Sequence, residues 1–108
     1  MIKTIRLEEA PAVPNPAGLD ARRLYDTEHA QVLHISLKPG VRVERHIVPV
    51  DVAFFVLEGE GEFEIGDEKV TAGAGTLVES PGGLTRGMSN AGAANLNVLI
   101  VRAPRPGA

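Results

Sequence analysis

Few side chains in this chain can do chemistry near neutral pH. There are three histidines, His29, His34 and His46, and no cysteine. Imidazole titrates close to neutrality, so each histidine is a candidate base, acid or metal ligand. The lack of cysteine excludes disulfides, thiolate metal sites and a cysteine nucleophile. His29 follows Thr27-Glu28 in a polar turn and is expected in solvent. His34 shares a face with Val32 and Ser36, opposite Leu33 and Ile35, so a half-exposed strand position is expected. His46 lies where basic and acidic residues interleave. Asp51 and Glu79 sit close to prolines, where carboxylates serve turns and surface charge. A one-residue bulge would turn Asp51 inward.

These side chains must be positioned by strands. Residues 52–57 are apolar without a break, the pattern of a strand buried on both faces. Gly59-Glu60-Gly61 then predicts a tight reversal into residues 62–65, which alternate strictly. Gly66-Asp67 is a two-residue hairpin signal. Further strands are predicted at 3–7, 21–26, 31–37, 41–48, 69–72, 76–79, 85–89 and 95–101, with turn signals between them. No segment has a convincing helical period. The 12 glycines and 8 prolines suit many short strands, and 108 residues is the size of one domain. An all-β sandwich or barrel over residues 1–108 follows. Pro11, Pro14 and Pro16 make residues 1–19 an extended arm, lying across the barrel or across a second subunit. Residues 103–108 are expected as a disordered tail.

Net charge is −3 and the basic residues are scattered, so the stripe that nucleic-acid binding requires is missing. Residues 1–6 are charged and short, unlike a signal peptide, and no apolar run approaches the roughly 20 residues of a membrane span. Neither membrane nor nucleic acid is expected as a partner, and a cytoplasmic location is the default.

Two spacings resemble the motifs of the cupin family. Gly40, five residues, His46 and then a strand ending at Gly59 looks like the first motif. Gly75, five residues, Pro81, one residue, Gly83, two residues, Arg86, three residues, Asn90 looks like the second. The resemblance implies a single cupin jelly-roll β-barrel. It also implies where a divalent ion would sit in metal-binding members, on two histidines and a glutamate of the first motif and a histidine of the second. Here those positions hold His46, Val48, Val52 and Arg86, so one donor of the family's four is present. Valine offers no donor and a guanidinium brings positive charge, so the ordinary metal site is expected to be lost.

The resemblance points His46 and Arg86 into the barrel. Arg86 there would need a carboxylate of the protein, with Glu79, Asp51 or Glu44 as candidates, or water, or an anionic ligand. The expected function is binding of a small organic anion by His46, Arg86 and His34, without a cofactor. One alternative is a metal-dependent dioxygenase, isomerase or decarboxylase on a site rebuilt from His46, His34 and a carboxylate. Another is metal-free catalysis with His46 as base and Arg86 stabilising a developing anion. Ala53, Phe55 and Leu57 form an apolar outer face, and the resemblance implies a homodimer through such a face.

Overall fold

Alternation of apolar and polar residues builds two antiparallel sheets whose inner faces meet. The structure, a computed structural model, describes residues 1–15 and 17–106. Its strands are β1 (Asp20–Asp26), β2 (Gln31–Leu37), β3 (Arg42–Ile47), β4 (Asp51–Glu58), β5 (Glu60–Ile65), β6 (Glu68–Gly73), β7 (Leu77–Ser80), β8 (Thr85–Ser89) and β9 (Leu96–Ala103). One sheet has the order β1-β2-β9-β4-β7 and the other β3-β8-β5-β6. This is a jelly-roll sandwich, the all-β architecture expected. No helix among the described residues is long and apolar enough to cross a membrane.

The core lies between the sheets. Leu33, Ile35 and Leu37 of β2 alternate inward, as do Val52, Phe54 and Val56 of β4 and Leu96, Val98 and Ile100 of β9. Phe63, Ala72 and Met88 close the core from the second sheet. Phe54 and Phe63 bridge the two layers with ring centroids 5.4 Å apart.

Four expectations are corrected. Only one face of β4 is fully buried; Ala53 and Phe55 are half-buried and Leu57 is 41% exposed, because no described element packs on that side. The predicted reversal at Gly59 is a crossing. β4 and β5 belong to different sheets, and Gly59, at φ +82°, carries the chain from one to the other. A Cβ there would meet the Asn95 carbonyl oxygen and lie 3.1 Å from Leu96 Cα. Residues 3–7 form no strand; a 3₁₀ turn occupies Leu7–Glu9. The edge of β1 is taken instead by the arm, where Val13 N–H donates to the Ala21 carbonyl at 2.8 Å and Arg23 N–H to the Pro11 carbonyl at 2.9 Å. The arm therefore lies across its own barrel, with Val13 and Leu19 packed on the core. Pro16 is outside the described residues. Finally, Ala103 closes β9 opposite Asp51, and Arg105 Nε lies 3.2 Å from Asp26 Oδ1. Of the tail expected at 103–108, residues 107–108 lie outside the described ones. The Gly66-Asp67 hairpin is formed, joining Ile65 to Glu68.

Candidate functional site

A β-bulge brings His46 to the edge of the barrel cavity. β3 pairs with β8 so that Val43 faces Met88 and His46 faces Arg86. Two residues, Glu44 and Arg45, therefore oppose the single Gly87. Gly87 suits the crowding, since a Cβ would lie 3.0 Å from Arg45 Cγ. The extra residue resets the alternation. Val43, His46 and Val48 all line the cavity, while Ile47 is 63% exposed. Arg45 turns outward to Glu64 (3.3 Å) and the Gly66 carbonyl (2.7 Å).

The cavity has a volume of about 160 Å³. His46, Val48, Val52 and Arg86, the positions that correspond to the family's ligand set, all line it. Leu33, Ile35, Phe54, Met88 and Ile100 supply apolar wall, and Val13, Asn15 and Leu19 of the arm complete it. Asn15 holds its loop through its own side chain, which accepts from Leu19 N–H and donates to the Val13 and Leu19 carbonyls.

Arg86 is 2% exposed. Its Nη2 donates to the carbonyls of Val48, Val50 and Pro81 at 3.1, 3.2 and 3.4 Å. Its Nε and Nη1 are buried with no hydrogen-bond partner. None of the three candidate carboxylates pairs with it. Asp51 Oδ1 accepts the Gly82 N–H at 2.8 Å and so ties down the loop after β7, while Glu44 and Glu79 are exposed. Burial holds the Arg86 guanidinium below its usual pKa, and the Asp51 charge opposes that shift without reversing it. A guanidinium stays charged all the same.

His46 stands exposed at the cavity edge, with Nδ1 3.1 Å from the Glu44 carbonyl oxygen. A carbonyl only accepts, so Nδ1 is the donor in this contact. His34 is not part of the site. It is 7% exposed on the outer face of β2, in a surface recess lined by Leu7, Glu8, Asp20 and Arg22. Period-two alternation explains the separation, because Leu33 and Ile35 already face the cavity. The expected grouping of His34 with His46 is thereby corrected. Burial lowers the His34 pKa, with Asp20 acting in the opposite direction.

Sequence reasoning missed Arg102. It lines the same cavity, donates from Nη1 to Gln31 Oε1 at 3.1 Å, and leaves Nε buried without a partner. Burial lowers its pKa, and the neighbouring Arg86 charge lowers it further. The signal was available: Leu96, Val98, Ile100 and Arg102 fall on one face of β9, and the first three are core.

The residues at the family's ligand positions do not fit a divalent ion. One imidazole, two valines and a guanidinium offer a single donor. Among the described residues, no group of three or more His, Cys, Asp or Glu side chains could hold one.

The cupin domain pattern matches residues 33–102. The chain is similar to a protein from Thermus thermophilus, at 26% identity over 97% of this chain and 100% of that one, with a TM-score of 0.82. It shares its fold with the polyketide cyclase RemF from Streptomyces resistomycificus, at 19% identity over 100% and 83% of the two chains, TM-score 0.84. The same holds for a predicted oxalate decarboxylase from Thermotoga maritima, at 23% identity over 95% and 100%, TM-score 0.83. No protein of curated function matches the sequence. The motif spacing, the jelly-roll topology and the match over residues 33–102 place this chain in the cupin domain family.

Proposed function

We propose that this cupin binds a small organic anion in its barrel cavity, held by Arg86 rather than by a metal ion. The observation that carries the reading is Arg86 itself, 2% exposed, with Nε and Nη1 unpartnered and no carboxylate paired to it among the described residues. A buried cation without a counter-charge costs several kcal/mol. A ligand carboxylate would supply the missing acceptors through charge-assisted bonds. The apolar wall would take the body of the ligand. At about 160 Å³ the cavity compares with engineered apolar cavities of about 150 Å³ that admit benzene. Related folds carry unrelated chemistries, so the fold alone selects no reaction.

A second reading is favoured by one observation, the exposed His46 imidazole at the cavity edge, held through Nδ1 by the Glu44 carbonyl oxygen. It makes His46 a base beside a bound anion, with Arg86 steadying the charge that develops. A second copy of the chain is the proposed partner on the outer face of β4, where Leu57 is 41% and Leu77 of adjoining β7 is 54% exposed.

The test is metal content followed by ligand screening. Tag-free protein is incubated separately with Mn, Fe, Ni and Zn, desalted and assayed by elemental analysis. Retention close to zero is expected for each. Small carboxylates should then raise the melting temperature of the wild type and leave Arg86→Ala unmoved. Retention close to one ion per chain would overturn the metal-free reading.

A further inference from the structure

Among the described residues, the buried polar side-chain atoms without a partner are Ser80 Oγ, Arg86 Nε, Arg86 Nη1 and Arg102 Nε. They gather in one place. Val52, near the start of β4, is the cross-strand partner of Ser80 on β7 and of Arg102 on β9. Arg86 reaches the same place from β8, where its Nη2 bonds the Val50 carbonyl. Two guanidiniums thus converge where β4 begins. Among the described residues neither has a carboxylate within ion-pair distance, and the side-chain partner of Arg102 is the neutral amide of Gln31. The effect of the Arg86 charge on Arg102 agrees with their closeness.

Two like charges in an apolar cavity are unfavourable unless an anion lies between them. Each guanidinium carries five N–H donors in a planar fork; both residues line the same cavity, and each keeps at least one buried nitrogen without a partner. Apart from the two arginines, the polar side chains of the lining are Asn15, engaged with its own loop, and His46 at the exposed edge; the rest of the wall is apolar. A ligand with a second carboxylate that lay along Leu33, Ile35, Phe54, Met88 or Ile100 would leave that group without a partner.

We propose that Arg86 and Arg102 clamp one carboxylate between them, and that the ligand is a monocarboxylic acid with a compact aromatic or branched apolar body. This rests on the anion-binding reading of the cavity and adds to it a second anchor and a class of acid. Arg102 becomes a specificity residue that touches the ligand head-group.

The experiment is isothermal titration of benzoate, isovalerate, glutarate and benzyl alcohol into the full chain. The proteins are wild type, Arg86→Gln, Arg102→Gln and Arg102→Lys. The expected result is one benzoate or isovalerate per chain on the wild type, with glutarate and the uncharged alcohol at least tenfold weaker. Each glutamine variant should weaken the monoacids tenfold or more. Arg102→Lys keeps the charge and loses the fork, so it should weaken them at least threefold; it serves if Arg102→Gln does not fold. Monoacid binding that Arg86→Gln abolishes and both Arg102 variants leave intact would overturn the clamp while the anion site stood. Glutarate binding tighter than benzoate would overturn the class of acid. If none of the three acids bound the wild type, the clamp and the anion-binding reading would fall together.

Discussion

If Arg86 is kept for a ligand, removing its charge should not unfold the protein. The perturbation is Arg86→Met, which keeps an unbranched apolar stem and deletes the guanidinium. Its stabilising contacts run through one nitrogen, with three carbonyls at 3.1, 3.2 and 3.4 Å. Charge-assisted N–H···O bonds are usually about 2.7–2.9 Å, so these are at the weak end. Two N–H groups at about 1.5 kcal/mol each give about 3 kcal/mol. Against this stands the several-kcal/mol cost of burying the cation, and apolar replacement of buried charges is often neutral or stabilising by about 1–4 kcal/mol. The ligand-free variant is therefore expected to match or exceed the wild type. Each kcal/mol moves the melting temperature by about 4–8 °C in a domain of this size. The assay is urea unfolding with linear extrapolation, read at unchanged slope. Saturating acid at about 100 times Kd should add about 2.7 kcal/mol to the wild type and nothing to the variant. A loss of about 3 kcal/mol or more in the ligand-free variant would refute the reasoning, because Arg86 would then be pinning the loops at Val48, Val50 and Pro81.

His34 is buried with a lowered pKa, so between the unfolded value of about 6.5 and its folded value the unfolded chain binds more protons. Wild-type stability should fall as pH drops below about 6.5, and His34→Gln should lack that loss in urea titrations at pH 7.5 and 5.5. Gly59→Ala combines a φ of +82° with overlap on the Asn95 carbonyl and should cost about 2 kcal/mol or more in thermal unfolding. Gly73→Ala, with nothing within 4 Å of the added methyl, should stay within about 1 kcal/mol. Sedimentation should show a wild-type dimer that Leu57→Glu with Leu77→Glu converts to monomer; a monomeric wild type at tens of micromolar would remove the proposed partner.

The sequence showed strand positions well because the inner faces of β2, β4 and β9 are uninterrupted apolar series at period two. The motif spacing was legible for a physical reason. Gly40, Gly59, Gly75 and Gly83 all adopt positive φ, and Asn90, 1% exposed, donates to the Leu37 and Ala94 carbonyls and accepts from Gly92 N–H. Local periodicity could not say which strands pair. A crossing at Gly59 and a hairpin there present the same glycines, and only the sheet order separates them. The bulge at Glu44-Arg45 was hidden for the same reason, since an extra residue is defined only against the single Gly87 opposite. The bulge shifts the parity after Val43, so that Val43, His46 and Val48 all border the cavity. His34 was misplaced because a polar face was assigned to the cavity, whereas the apolar face of β2 lines it. Arg102 counts in the sequence only as one of the scattered basic residues, although its parity with Ile100 puts it at the cavity.

The most direct test of the central claim is a calorimetric titration of a small monocarboxylate into chelator-treated, desalted protein, run side by side for wild type and Arg86→Met. The account predicts one site per chain in the metal-stripped wild type and no measurable heat of binding in the variant. Equal binding by the two proteins, or wild-type binding that returns only when a divalent ion is added, would contradict it.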